Sequence, residues 1–301
     1  MLKLRTYPPL PGLLPRPVKA GARPRGGSYS ERMAISTLLS VAALSALVPA
    51  AIAPLVRPDP ERQRDGTFWL LIGVAIAGPL LWVVVELGPN WRTGLAAALW
   101  LSIATSLMLF ALVAAIQTVA WRLAPLLLGY LFLLGVMATI WQHAPERPMA
   151  SDPPPVWLQA HILVAIIAYG LLTLAAVAGA AVFVQERALK QKKVTAFSHQ
   201  LPSIAEGERL LSWLLMASEV VLAVALITGM IMSWLERHAL LRADHKTIFS
   251  LLTFAVIALL LLLHHRGGIS GRRAARYVLF AYLLLTLAYP GVKFVTDVII
   301  G

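Results

Sequence analysis

The sequence predicts an all-α membrane protein, a bundle of about eight transmembrane helices. Three observations support this fold class: 59% of the 301 residues are hydrophobic, only 13% are charged, and long apolar runs recur along the chain. A soluble domain is roughly half apolar and a quarter charged, and a membrane-spanning helix needs about 20 apolar residues. Most of the surface must therefore face lipid, and little of the chain remains for a soluble domain.

Residues 1–32 differ from the rest of the chain because they are rich in proline, glycine, lysine and arginine. They contain no apolar stretch of about 7–15 residues, which a signal peptide would need. We expect a basic, disordered tail, since such a composition cannot bury a core. Met33 directly precedes the first apolar run, so a start at Met33 is the alternative interpretation. The remaining residues, 33–301, form the predicted transmembrane domain.

Eight apolar segments follow the tail. Their predicted ranges are 33–56, 68–87, 93–120, 123–141, 156–185, 210–235, 247–263 and 277–300. Pro79 should kink the second span, and the fifth is long enough to tilt or to project beyond the lipid. We find no internal repeat, which argues against an inverted-repeat transporter.

The basic residues between the spans predict the orientation. The loops after spans one, three, five and seven carry thirteen lysines and arginines, whereas the opposite side carries five. The first set should be cytoplasmic, with stretch 186–208 as a solvated loop and both termini periplasmic in a bacterial inner membrane. Counting the tail adds seven basic residues to the other side and nearly cancels the bias, which favours the start at Met33.

The excess of basic residues also bears on partners. Because these residues lie between apolar runs, we assign the net charge of +12 to topology and to contact with anionic membrane lipid rather than to nucleic acid. The chain contains no cysteine, which excludes a thiolate metal site and a covalent thioether link to haem. No phosphate-binding loop, catalytic carboxylate pair or nucleophile elbow is present, so we expect no enzymatic activity.

Three histidines at span ends are candidate ligands, because neutral imidazole is the commonest protein ligand of haem iron and other metals. His161 opens span five, eight residues before Tyr169, which places both near one stripe of the helix. His245 opens span seven beside Asp244, which could hold one ring nitrogen. His264 ends the same span, about 28 Å away along the helix, so His245 and His264 cannot share a metal. A bland interfacial role remains the alternative for each histidine.

Charged residues inside the spans are further candidates, because charge is costly in lipid. Glu219 lies in the middle of span six and is the unpaired residue that a transporter would need. Lys293 and Asp297 are four residues apart in span eight and should form a structural pair. Glu86 lies near the end of span two, where we expect an interfacial position.

Three stretches of the sequence resemble the cytochrome c assembly protein superfamily, of the CcsA, CcmC and CcmF type, and in particular its YpjD-like inner-membrane branch. They are residues 161–193, residues 245–252 (HKTIFSLL) and residues 264–295. The most specific part is the glycine–arginine turn followed by TLAYPGVKFV. The resemblance covers all eight spans in layout and is specific from about His161 onward.

The resemblance implies haem binding or handling in cytochrome c biogenesis, with other biogenesis membrane proteins as partners. His161 resembles the first periplasmic haem-ligand histidine of the family, and His264 resembles its membrane histidine. We expect His161 and His245 to face one cavity that holds haem non-covalently, with Phe249 packed on the flat ligand. However, the loop at 236–244 (ERHALLRAD) lacks the family's tryptophans, and no histidine follows His265. A structural or regulatory subunit that kept the fold without haem is the alternative.

Overall fold

The computed structural model describes residues 27–56, 65–87, 94–144, 155–193, 195–237, 245–266 and 271–295. Within these ranges the chain is helical almost throughout and has no strand. Eight of the helical segments are long and apolar enough to cross a membrane. The predicted fold class, an all-α bundle of eight transmembrane helices, is therefore confirmed.

The first four spans are single helices joined by short connections. They are α1 (Gly27–Val56), α2 (Gly66–Leu87), α3 (Leu95–Ile116) and α4 (Ala124–Ile140), the last preceded by a 3₁₀ turn at Ala120–Leu123. Helix α1 begins six residues before the predicted boundary, so residues 27–32 are helical rather than part of a tail. Residues 1–26, and with them most of the predicted tail, lie outside the described residues.

The second half contains two helices much longer than a bilayer requires. Its elements are α5 (Val156–Lys190), α6 (Ala196–Gln200), α7 (Ile204–Arg237), α8 (His245–His265), α9 (Gly271–Thr286), a π-helical turn at Leu287–Gly291 and α10 (Val292–Phe294). The last three elements form one span. Helices α5 and α7 each rise about 50 Å, against a hydrocarbon core of about 30 Å.

The prediction of a solvated loop at 186–208 is wrong for most of that stretch. Helix α5 continues to Lys190, α6 forms within the connection, and α7 begins at Ile204. The side-chain amide of Gln185 donates to the carbonyl oxygens of Ser198, Leu201 and Pro202 at 2.8–3.2 Å. These bonds hold the connection against the end of α5, because they satisfy carbonyl groups that would otherwise need water.

Helix α5 is the centre of the bundle and packs against α3, α7 and α9, while α1 packs against α2 and α4. Small residues allow these helices to approach closely. This is common in membranes, where helices associate by van der Waals packing because the hydrophobic effect does not drive them together. A Cβ atom added to Gly78 of α2 would lie 2.7 Å from the Cβ of Ala46 in α1. At Gly179 of α5 it would lie 3.5 Å from the backbone of Ala275 in α9.

A buried polar chain fixes α1 and α2 against the end of α4. The indole nitrogen of Trp82 donates to Ser40 at 2.9 Å, and the Ser40 hydroxyl donates to the Gln142 side chain at 2.7 Å. Gln142 in turn donates to Thr37 at 3.1 Å. Trp82 also stacks on Trp100 of α3, with ring centroids 5.8 Å apart. Satisfied networks of this kind specify one packing arrangement.

Candidate functional site

A cavity of about 280 Å³ lies between α3, α5, α7, α8 and the last span, near the end of the bundle where α5 begins. Its walls are mostly apolar, with Ile162 and Ile166 of α5 facing Leu222 and Leu226 of α7. Six polar or charged side chains also line it: Ser102, His161, Tyr169, Lys246, Ser250 and Tyr289. Apolar walls with a few polar groups are typical of small-molecule sites.

His161 is held in this cavity by a neighbour on α7. Its Nδ1 atom lies 3.0 Å from the hydroxyl of Thr228, and that hydroxyl donates its proton to the carbonyl of Ala225 at 2.9 Å. If the hydroxyl proton stays with Ala225, Thr228 accepts from the ring, and the proton of a neutral imidazole then lies on Nδ1. The Nε2 atom then keeps its lone pair, which is the state required of a metal ligand.

Gly229 provides the space that the imidazole occupies. A Cβ atom at this position would lie 3.1 Å from Cε1 of His161 and 3.7 Å from Nε2. The added Cβ would meet Cε1, the ring atom between the two nitrogens, and would lie almost as close to Nδ1, at 3.8 Å, as to Nε2. A larger residue at position 229 would therefore push the ring from its present position without removing the hydrogen bond partner.

Tyr169 connects the cavity to a cluster of phenol groups in the middle of the bundle. Its hydroxyl lies 3.1 Å from that of Tyr282 on α9, which lies 2.5 Å from the hydroxyl of Tyr130 on α4. The hydroxyl of Thr286 lies 3.3 Å from that of Tyr169. The hydroxyl of Thr173 donates to that of Tyr282, also at 3.3 Å. His161 and Tyr169 both line the cavity, as their spacing predicted. The cluster ties α4, α5 and α9 together below the cavity.

The π-helical turn of the last span shapes the opposite wall. It contains Pro290, which has no backbone N–H to continue a regular helix. The turn places Ala288 and Tyr289 in the cavity wall. The ammonium groups of Lys246 and Lys293 lie 6.0 Å and 5.9 Å from the centroid of the Tyr289 ring. Single π-helical turns of this kind are frequent at functional sites.

His245 is not among the residues that line the cavity around His161, so its role as a ligand stays a prediction. Helix α8 does reach the cavity, but its lining residues are Lys246 and Ser250, while the His245 side chain is exposed. Successive residues of an α-helix point about 100° apart, and Lys246, although it is also exposed, borders the cavity where His245 does not. Phe249 does not line the cavity either. Asp244, the expected partner of His245, lies outside the described residues.

His264 lies at the opposite end of the bundle, where the helices are closed together. With Glu208 and Gly271 it lines a small cavity of about 20 Å³. Gly271, at φ +59°, donates its N–H to Glu208 of α7, and Arg272 donates its N–H to Glu186 of α5 at 2.8 Å. Two carboxylates thus cap the N-terminus of α9, where the helix dipole favours negative charge.

The charged candidates inside the spans lie apart from the cavity wall. Both carboxylate oxygens of Glu219 are buried, with no hydrogen-bond partner among the described residues, near the middle of α7. Glu86 is half-buried one residue before the end of α2, consistent with an interfacial position. Asp297 lies outside the described residues, so its pairing with Lys293 stays a prediction. In the described part of the chain, no three metal-binding side chains form a cluster.

Sequence reasoning missed Thr228, Lys246, Tyr282 and Tyr289. Each carries a polar group in or beside an apolar span, which was a usable signal, since such groups need partners in lipid. The partner of each lies on another helix, however, and sequence spacing gives no distance between helices. The proline at position 290 was the one local sign that the last span would depart from a regular helix.

The comparisons with known proteins agree with this architecture. The model of the family described as "Cytochrome C assembly protein" matches residues 80–300. The chain is 49% identical over 271 residues to an "Uncharacterized 28.8 kDa protein in nifR3-like 5'region" from Azospirillum brasilense, covering 89% of this chain and 100% of that protein. It is 25% identical over 181 residues to the inner membrane protein YpjD of Escherichia coli strain K12, covering 60% and 66%. No solved structure matches. The match to more than two thirds of its length shows that this eight-span membrane protein belongs to the cytochrome c assembly protein family.

Proposed function

We propose that the protein binds haem non-covalently in the cavity around His161 and handles it during cytochrome c assembly in a bacterial inner membrane. The observation that carries the proposal is the position of His161 in the cavity, where Thr228 contacts Nδ1 and Nε2 is the ring nitrogen that would ligate iron. Membership of the cytochrome c assembly family supports the choice of haem. The relative YpjD is an inner membrane protein by name, which supports the location.

The residues of the cavity fit an iron porphyrin in chemistry. His161 would hold the iron, Thr228 would orient the ring, and the apolar side chains of α5 and α7 would contact the macrocycle. When bound, haem supplies an iron centre that accepts axial nitrogen ligands. The volume of about 280 Å³ is at the lower limit for ligand pockets, so part of the macrocycle would extend beyond the cavity.

The other two candidate histidines have less geometric support. His245 is exposed beside the cavity and would become a second axial ligand only if the start of α8 turned. His264 is at the far end of α8, about 28 Å away along the helix, and would serve a different site. We retain both as candidate ligands, each to be tested by its own alanine substitution.

We also propose that the two ends of the bundle face different compartments. The basic loops favour a cytoplasmic position for the Glu186 end, so the cavity end and both termini would face the periplasm. Reporter fusions in the connection at 191–193 and after Gly301 should then report opposite sides of the membrane. Matching signals from the two fusions would contradict this orientation.

The decisive experiment is purification in a mild neutral detergent, followed by a visible spectrum and a pyridine haemochrome assay. The wild-type protein should carry or take up haem, and His161→Ala should lose it. His264→Ala, at the other end of the bundle, is the matched control and should keep the spectrum. A folded wild-type protein that takes up no haem from an excess would overturn the proposal.

A structural or regulatory membrane subunit is the second candidate function. One observation favours it: among the described lining residues the cavity has a single histidine, and Thr228 already holds that ring. Under this alternative His161 is a helix-packing residue, and replacing it with glutamine, which can still bond to Thr228, would leave stability and phenotype unchanged. Haem uptake that depends on His161 would exclude it.

A further inference from the structure

We propose that Glu219 is a proton-binding site in the middle of the membrane, and that it exchanges its proton with water in the cavity around His161. The ligand of this site is a proton, so the inference goes beyond the proposed function and does not depend on haem. It gives a role to a buried acidic residue that haem binding leaves unused.

The carboxylate of Glu219 lies where a negative charge is not compensated. The residue is near the centre of the span Ile204–Leu235, and both of its carboxylate oxygens are buried without a hydrogen-bond partner among the described residues. Transfer of an ionised carboxylate out of water is costly unless the charge is paired, and a bound proton removes most of that cost. An unpartnered carboxylate at this depth is therefore favoured as the neutral acid.

The helices packed against α7 carry almost no titratable groups at this depth. Helix α7 packs against α5 and α8. Between residues 162 and 185, α5 carries one titratable side chain, Tyr169, and α8 carries none between residues 247 and 263. Within α7 itself the nearest titratable residue is Arg209, about 15 Å away along the axis. A described cation that would pair with Glu219 is therefore not found on these three helices.

A metal cation fits the position less well than a proton. Cations such as calcium and magnesium take six or more oxygen ligands, and few-ligand sites for other metals use histidine or thiolate. Among the described residues, no three side chains that bind metals lie together. The side chains that share a face of α7 with Glu219, Leu215 and Leu222, are apolar and offer no ligand atom.

Glu219 lies between the two cavities of the bundle. Residues three and four apart on a helix share a face, so Leu215, Glu219 and Leu222 form one stripe of α7. Leu222 lines the cavity around His161, and Leu215 lines the small cavity at the other end. Along the axis, Glu219 is about 4.5 Å from the level of Leu222 and about 6 Å from that of Leu215. One helical turn therefore separates the carboxyl group from each cavity.

The cavity around His161 is the better source of the proton. Its volume of about 280 Å³ has room for several water molecules, and Ser102 and Ser250 offer them hydrogen bonds. The other cavity, of about 20 Å³, has room for about one. The larger cavity is also the nearer one along α7. We therefore assign proton exchange to the turn between Leu222 and Glu219.

Infrared spectroscopy of the full-length protein in a neutral detergent tests the bound proton. A protonated carboxyl group has a carbonyl stretching band that is separate from the amide bands and that ionised carboxylates lack. The wild-type protein near neutral pH should show this band, and Glu219→Gln should lose it. Glu31→Gln, at an exposed position on α1, is the control and should keep it. Absence of the band from the folded wild-type protein overturns the proposal, and so does its loss on addition of sodium or calcium ions, which would indicate a metal cation site.

Transfer to heavy water tests the route of exchange. The band should shift as deuterium replaces the proton, and the shift should be faster in Leu222→Ala, because a side chain between Glu219 and the larger cavity is removed. Leu215→Ala, the matched change toward the small cavity, should leave the rate unchanged. Faster exchange in Leu215→Ala alone, or equal rates in all three proteins, would overturn the assignment to the cavity around His161. The unfolding midpoint of each variant shows that it is folded.

Discussion

The two ends of the bundle differ in the charge that lies at their helix N-termini and in the volume of their cavities. At the end where α5 finishes, carboxylates from α5 and α7 cap the start of α9, and the remaining cavity is about 20 Å³. At the end where α5 begins, the cavity is about 280 Å³, and cationic Lys246 occupies the positive end of a helix. At the first end the helix dipole stabilises the negative carboxylates at the start of α9. At the second end the dipole of α8 disfavours the positive charge of Lys246.

Under the proposed function, the end capped by carboxylates stabilises the bundle and the end around His161 binds the ligand. Residues arranged for binding commonly lower the free energy of unfolding, and packing elsewhere in the protein compensates for that loss. Substitutions at the Glu186 end should therefore reduce stability. Substitutions around His161 should act mainly on ligand binding.

The largest effect is expected at Gly271. Gly271→Ala forces an L side chain into φ +59° and brings its Cβ against the carboxylate of Glu186. The left-handed conformation costs about 1–2 kcal/mol, and displacing the cap adds up to roughly another 1–2 kcal/mol. A clear fall in the thermal unfolding midpoint in detergent is the expected readout. Gly73→Ala, in open space within α2, is the control and should be neutral or slightly stabilising.

Neutralising the capping carboxylates should have the next largest effect. Glu186→Gln and Glu208→Gln keep an oxygen acceptor but remove the charge, so each should cost about 1 kcal/mol. Glu186 should cost more than Glu208, because it also lies 3.8 Å from Lys190 and 4.0 Å from Arg272.

The salt dependence distinguishes a charge effect from a packing effect at this cap. The loss in unfolding midpoint should shrink at high salt, because exposed parts of the charge interaction are screened. Glu31→Gln, at an exposed position on α1, is the control and should change little. A loss in Glu186→Gln that is independent of salt would show that shape rather than charge secures this end.

A smaller effect on stability is expected at Thr228. Thr228→Val keeps the volume but removes the acceptor of His161, at a cost of about 1 kcal/mol. Because Nδ1 then loses the contact that orients the imidazole, haem affinity should fall more than stability does. Thr253→Val is the matched control, since that buried hydroxyl bonds only within its own helix, to the carbonyl of Phe249. Equal haem affinities in the two variants would contradict the role of Thr228.

The smallest effect on folding is expected at Lys246. Lys246→Gln should change the unfolding free energy by less than about 0.5 kcal/mol, and in the stabilising direction, because it removes a cation from the positive end of α8. The sign is opposite to that at Glu186, measured by the same unfolding midpoint. A destabilisation comparable to that of Glu186→Gln would mean that both ends serve stability, and the comparison would fail.

The spans could be predicted from the sequence because the bilayer sets the length of each apolar run. The connection at 186–208 could not, since its polar residues resemble those of a solvated loop. In the structure Gln185 bonds to the connection itself, and Glu186 and Glu208 bond to α9, 63 or more residues further along the chain. Those distant N–H donors stabilise the ends of two long helices where the sequence predicts a loop.

The site was predictable where it depends on one helix. A spacing of eight residues placed His161 and Tyr169 on one stripe, and both line the cavity. The choice between His245 and Lys246 depends on how α8 is rotated about its axis, which is set by its packing against α7 and α9. A rotation of about 100° exchanges neighbouring residues, and the apolar pattern of a helix surrounded by lipid and protein does not fix it that closely.

The cap on α9 also bears on the order in which the protein is made. The last span has a mean hydropathy of 1.4, the lowest of the eight, and it begins with Arg272 and Arg273. Its two acceptors, Glu186 and Glu208, lie on helices that are synthesised before it. The least apolar span is therefore synthesised last, after the helices that carry its two hydrogen-bond acceptors. A nascent chain stopped before Gly271 would leave these two carboxylates without the N–H groups of α9 that they accept from in the complete bundle.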